Sequence, residues 1–233
     1  MENVERNTNV KRSEVPLEPP GAGTQVPMRI RYTLRFTGWP SLNQLVTVAV
    51  AAAAYTVLSW LSSLLQSGVP SVSFLFVAIG FGVPFAIWFG GWAFVIAYIG
   101  NFLGAGLLAP SPLPLSVALW FGTVDLIQLG LPVILYRLLA PRFGVSSIGK
   151  DVFTVRGFIF FLLCAVLPNN IIGGLYGNFI LIKTVNPTGL LVPGWLLWSG
   201  SNIVVTIVIG SILLATLGPV VERFGLTVRN ALN

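Results

Sequence analysis

Six stretches of apolar residues, each set off from the next by proline, glycine, polar or charged residues, run from residue 42 to residue 217. A hydrocarbon core about 30 Å thick is crossed by about 20 apolar helical residues. By that ruler the stretches predict spans at 42–65, 72–89, 92–109, 115–139, 157–182 and 193–217. Ser41, following Gly38-Trp39-Pro40, is placed to cap the first. Pro84 predicts a kink in the second, and Gly90-Gly91 permits a tight turn into the third. Pro110-Ser111-Pro112-Leu113-Pro114 and Asn186-Pro187-Thr188-Gly189 break the chain ahead of the fourth and sixth. The fold class expected is all-α: a polytopic membrane protein built as a bundle of six transmembrane helices spanning residues 28–229, with a short C-terminal end at 230–233.

The few polar positions inside these runs are the next signal. Between residues 36 and 136 the only charged side chain is Asp125, about ten residues into the fourth span. An ionised acid at mid-membrane costs about 2.5–3.5 kcal/mol on the insertion scale, so it must be protonated, paired or facing water. Amides fall at similar depth: Asn101 in the third span, Asn169 and Asn170 in the fifth, Asn202 in the sixth, and Gln128 one turn from Asp125. Two readings stand for this set. Each amide can form an interhelical hydrogen bond worth about 0.6 kcal/mol, or the groups together can line a polar pocket beside the backbone carbonyl that Pro168 frees. Trp195, Trp198 and Lys183 near one end of the last two spans read either as an aromatic belt with a snorkelling cation or as the top of a ligand site. Asp125, Asn101, Asn170, Asn202, Gln128 and Trp198 are therefore the candidate substrate-binding residues.

Charge then orients the spans. Arg29, Arg31 and Arg35 precede the first; Arg137, Arg142, Lys150 and Arg156 lie between the fourth and fifth; Arg223 and Arg229 follow the sixth. All three clusters fall on one side if four spans and then two separate them, which leaves only Lys183 opposite. Basic residues collect in cytoplasmic loops, so both termini are expected in the cytoplasm of a cell membrane. Residues 1–27 carry four Glu and a Pro-Pro-Gly run, too polar to bury a core, and read as a disordered tail. No apolar signal segment is present in it, and Met28 is a second plausible start.

Composition narrows the chemistry. With 55% hydrophobic and 9% charged residues and a mean hydropathy of +0.87, the chain departs far from soluble domains, where about a quarter of residues are charged. The net charge of +6 sits at span ends and is orientation, not a nucleic-acid footprint. There is no histidine and one cysteine, Cys164, which removes imidazole catalysis, the usual metal sites and intrachain disulfides. No phosphate-binding glycine loop or Ser/His/Asp arrangement occurs, so the chain is read as non-enzymatic, without metal or cofactor and without an ATPase of its own.

Small residues recur at four-residue spacing: Ala49 and Ala53, Gly100 and Gly104, Gly173 and Gly177. Such pairs allow close approach of helix backbones, either inside the bundle or against another subunit. The alanine-rich first span, from Thr47 to Ser59, the stretch Ile87-Trp88-Phe89-Gly90-Gly91-Trp92-Ala93, and Ile99-Gly100-Asn101-Phe102-Leu103-Gly104 together resemble the substrate-binding S component of energy-coupling factor transporters. That resemblance implies a six-helix protein capturing a vitamin or other micronutrient from outside. Its partners would be a transmembrane coupling subunit and ABC-type ATPases, and in that family an AxxxA pattern on the first helix meets the coupling subunit. Ala49 and Ala53 match that pattern. Gly100-Asn101-Phe102-Leu103-Gly104 and Gly122-Thr123-Val124-Asp125 also resemble integral membrane sensory domains. A proton-coupled carrier using Asp125 is the third reading.

Overall fold

The computed structural model describes residues 39–65 and 72–228. The expected tail at 1–27, the second start at Met28, Arg29, Arg31, Arg35 and the end at 229–233 lie outside those residues. The described chain is all-helical, with four helices long and apolar enough to cross a membrane: α1 (Leu42–Ser63), α4 (Leu115–Arg137), α5 (Val155–Thr184) and α6 (Leu191–Arg223). Two shorter apolar helices, α2 (Val77–Phe89) and α3 (Trp92–Leu107), complete the bundle. Ser41 caps α1 as expected: its hydroxyl accepts from Gln44 N, and Gln44 Oε1 accepts from Ser41 N.

The second predicted span is the one whose limits the structure changes. Residues 72–76 are not helical, and α2 begins only at Val77, where the Ser62 hydroxyl of α1 accepts the Val77 N–H at 2.9 Å. At about 1.5 Å per residue, α2 is too short to cross about 30 Å of hydrocarbon alone. It does not need to, because it is packed among α1, α3, α4 and α6 and buries most of its side chains, from Ala78 to Phe89. Apolarity in α2 reflects protein core rather than lipid. Gly90, with φ of 56°, closes the turn into α3 in a conformation that residues with a Cβ avoid.

The other helices pack in succession, α1 on α3, α3 on α4, α4 on α5 and α5 on α6, and α1 and α6 both pack on α2. Gly100 and Gly104 of α3 make the first contact close, lying against the Tyr55 ring and the Thr56 carbonyl of α1. Gly173 and Gly177 of α5 lie against Gln128 of α4 and Trp198 of α6. These two glycine pairs are internal packing surfaces. Ala49 and Ala53 differ, since both are exposed on the outer face of α1, whereas Ala51 is buried.

Four π-helical segments, at Asn101–Leu107, Val133–Arg137, Leu162–Val166 and Thr206–Gly210, widen the long helices. Two adjoin prolines. Pro132 cannot donate to the Gln128 carbonyl, nor Pro168 to the Cys164 carbonyl, and the neighbouring turns relax to wider hydrogen-bond rings.

Helix directions alternate, so the bundle has two chemically different ends. One carries Arg137, Arg142, Lys150, Arg156 and Arg223. There the last described residues fold back: Gln44 Nε2 donates to Gly225 O and Thr227 O, Val228 N donates to Trp88 O, and the buried Arg137 donates to Val228 O. At the opposite end, the C-terminus of α1, residues 72–76, the α3–α4 connection and the start of α6 surround an opening.

Candidate functional site

That opening leads into a pocket with about 570 Å³ of space free of protein atoms, counting its mouth. Asn101 and Ala105 reach it from the π-helical segment of α3, Phe121 from α4, and Trp198 and Asn202 from α6. Ser63, Val72, Ser73 and Phe76 supply the wall between α1 and α2, and Ser111 the rim after α3. From the non-helical run 72–76, Val72, Ser73 and Phe76 are thus pocket wall, whereas Phe74 and Leu75 are exposed. Asn101 begins the π-helical segment of α3, a type of turn that is frequent at functional sites.

Of the six residues expected to bind substrate, three meet here: Asn101, Asn202 and Trp198. Asn101 is held by donation from Nδ2 to Phe121 O at 2.9 Å, which ties α3 to α4 across the floor. Trp198 packs edge-on against Phe121, with ring centroids 5.9 Å apart at 62°, and its indole edge lies over Gly177. Asn202 is 1% exposed, and its Nδ2 has no hydrogen-bond partner; Trp198 Nε1 is likewise buried without one.

Asp125, Gln128 and Asn170 do not line the pocket. Asp125 is fully buried and accepts the Tyr55 hydroxyl on Oδ2 at 2.7 Å, while Oδ1 has no partner. Tyr55 in turn meets the pocket-lining Phe76 ring edge-on, with centroids 6.5 Å apart. The acid therefore supports the pocket through two aromatic rings without facing its interior. Gln128 lies over Gly173 between α4 and α5, both side-chain polar atoms buried and unpartnered. Asn170 donates to Val166 O and Thr206 Oγ1, and its carbonyl accepts the Ser199 hydroxyl, so it fastens α5 to α6. Asn169 is fully buried, with neither amide atom partnered.

Neither remaining candidate for a lid joins the wall. Trp195 donates to Ile171 O, and Lys183 sits 5.7 Å from the centroid of the exposed Phe179 ring. Tyr55, Phe76, Phe121 and the serines 63, 73 and 111 went unremarked in the sequence. Tyr55 is the one with a signal: a tyrosine inside an alanine-rich span is a buried hydroxyl that needs an acceptor.

Three kinds of comparison with known proteins bear on identity. No family model matches the chain, nor does any curated protein or any solved structure.

Proposed function

We propose that the chain is the substrate-capture subunit of an energy-coupling factor type importer. In this reading the six-helix bundle spans a cell membrane, both termini are cytoplasmic, and a small molecule is taken from outside for delivery with the help of a coupling subunit and ABC-type ATPases. The observation that carries it is the pocket, which opens at the end opposite the arginines. Basic residues collect on the cytoplasmic side, so that mouth faces outward. A fusion reporter after Asn233 is expected to be active only inside the cell, and an external signal would sink the topology.

The exposed Ala49 and Ala53 supply the docking side of the reading. Helix association in lipid relies on close packing at small residues, and two leucines there would hold a partner helix away. Purified from its own cells, the tagged protein is expected to bring ATP-hydrolysing subunits with it. Ala49→Leu with Ala53→Leu should abolish that association while leaving the melting temperature unchanged, because neither side chain touches the bundle core. Retained ATPase in the double variant would leave this face to lipid. Use of Asp125 as a proton carrier gains no support from its position, since the carboxyl is bonded to Tyr55 and is not in the pocket wall.

A further inference from the structure

We infer that the pocket takes an uncharged, single-ring aromatic or heteroaromatic molecule, and rejects carboxylates, phosphates and ammonium groups of the same size. This rests on the pocket being a ligand site, as proposed above, and adds the chemistry of what enters.

Charge comes first. Among the described residues no lining side chain is ionisable. Asp125 is occupied by Tyr55, and Lys183 stands over Phe179. An ion entering this space would give up hydration and meet no counter-charge, a penalty of several kcal/mol by general experience with buried ions. A neutral molecule avoids that loss.

The polar groups of the lining add no charge. Asn202 Nδ2 and Trp198 Nε1 are buried without partners among the described residues, and Asn101 Nδ2 is committed to Phe121 O, so what the lining offers a ligand is neutral amide and hydroxyl groups.

Shape follows from the rings and the volume. Phe76, Phe121 and Trp198 offer apolar faces and edges to a flat molecule. The space free of protein atoms, about 570 Å³ with its mouth, is within the range of small-molecule sites and admits one substituted ring.

The test uses the full chain purified in detergent micelles, without any partner subunit, and two matched pairs of probes. Nicotinamide is compared with nicotinate, and thymine with orotate, by equilibrium dialysis at neutral pH. At least one uncharged probe is expected to bind at millimolar concentration or below, with its carboxylate counterpart weaker by about tenfold or more. Trp198→Leu removes an aromatic ring from the lining and should weaken the uncharged probe by several-fold, whereas Gly200→Ala in the same helix, where an added Cβ meets nothing within 4 Å, should leave it unchanged. Equal or tighter binding of nicotinate or orotate overturns the inference, and so does the absence of binding by both uncharged probes. Neither result touches the docking experiment, in which loss or retention of ATPase reports on the transport reading separately.

Discussion

One methyl group added at Gly104 is expected to lower the unfolding free energy by about 1–3 kcal/mol, the usual range for overpacking a filled interior, and toward the upper part of it. The reason is what the methyl meets. A Cβ at this position runs into the Thr56 carbonyl oxygen, the Ser59 Cβ at 2.6 Å and the Trp60 backbone nitrogen at 3.0 Å. Two of these atoms belong to the α1 main chain, which cannot rotate away as a side-chain tip can. Relief requires α1 and α3 to move apart, opening a contact on which the Tyr55–Asp125 bond and the pocket wall both depend. Gly200→Ala in α6 is the matched control, because a Cβ there finds nothing within 4 Å. Thermal unfolding of the purified protein in detergent should show Gly104→Ala melting well below the parent and Gly200→Ala at or slightly above it. Equal melting of Gly104→Ala and the parent would mean that α1 and α3 are not in backbone contact.

Tyr55→Phe should be comparably damaging although it removes a single oxygen. The ring and its edge contact with Phe76 remain, but Asp125 loses the only bond it makes among the described residues, and Oδ1 is already unpartnered. Leaving a buried acceptor orphaned costs about 1–3 kcal/mol, and more if the group is charged. Asp125→Asn keeps an oxygen for the Tyr55 hydroxyl and should lose less. Replacing both partners at once, Tyr55→Phe with Asp125→Leu, removes the orphan as well as the bond and should recover much of the stability lost by Tyr55→Phe alone. A double-mutant cycle on melting temperatures checks this, and strictly additive losses would show that the pair is not coupled. Binding of the pocket probes should change less than stability in Asp125→Asn, since the acid lies behind the wall.

Much of the architecture was legible from the chain. In lipid every backbone polar group must be satisfied within the segment, which leaves helices as the outcome for long apolar runs, and α1, α4, α5 and α6 begin and end within a few residues of their expected limits apart from the longer C-terminal end of α6. The second span starts later than expected because hydropathy does not tell helix from other apolar segments: Val72 and Phe76 are buried in the pocket wall, while Phe74 and Leu75 between them are exposed. The glycine pairs show the same ambiguity in another form: Gly100, Gly104, Gly173 and Gly177 carried the right spacing for close packing, but spacing does not tell an internal contact from an external one, and only the fold put them inside and Ala49 and Ala53 outside.

For the site, depth along each helix was readable and direction was not. Counting residues placed Asp125, Gln128, Asn101, Asn170 and Asn202 among the polar groups away from the helix ends, and they are indeed buried there. Rotation about each helix axis, set by which neighbours pack where, then turned Asn101 and Asn202 toward the pocket, Asp125 toward Tyr55 and Asn170 toward Thr206. An apolar helical chain with two chemically distinct ends and an almost charge-free interior was readable from the residues alone, because these follow from composition and from where charge can be solvated. That Asp125 of α4 is a strut behind an aromatic wall was not legible there, because burial and partnership depend on residues far apart in the chain, here Tyr55, Phe76 and Asp125.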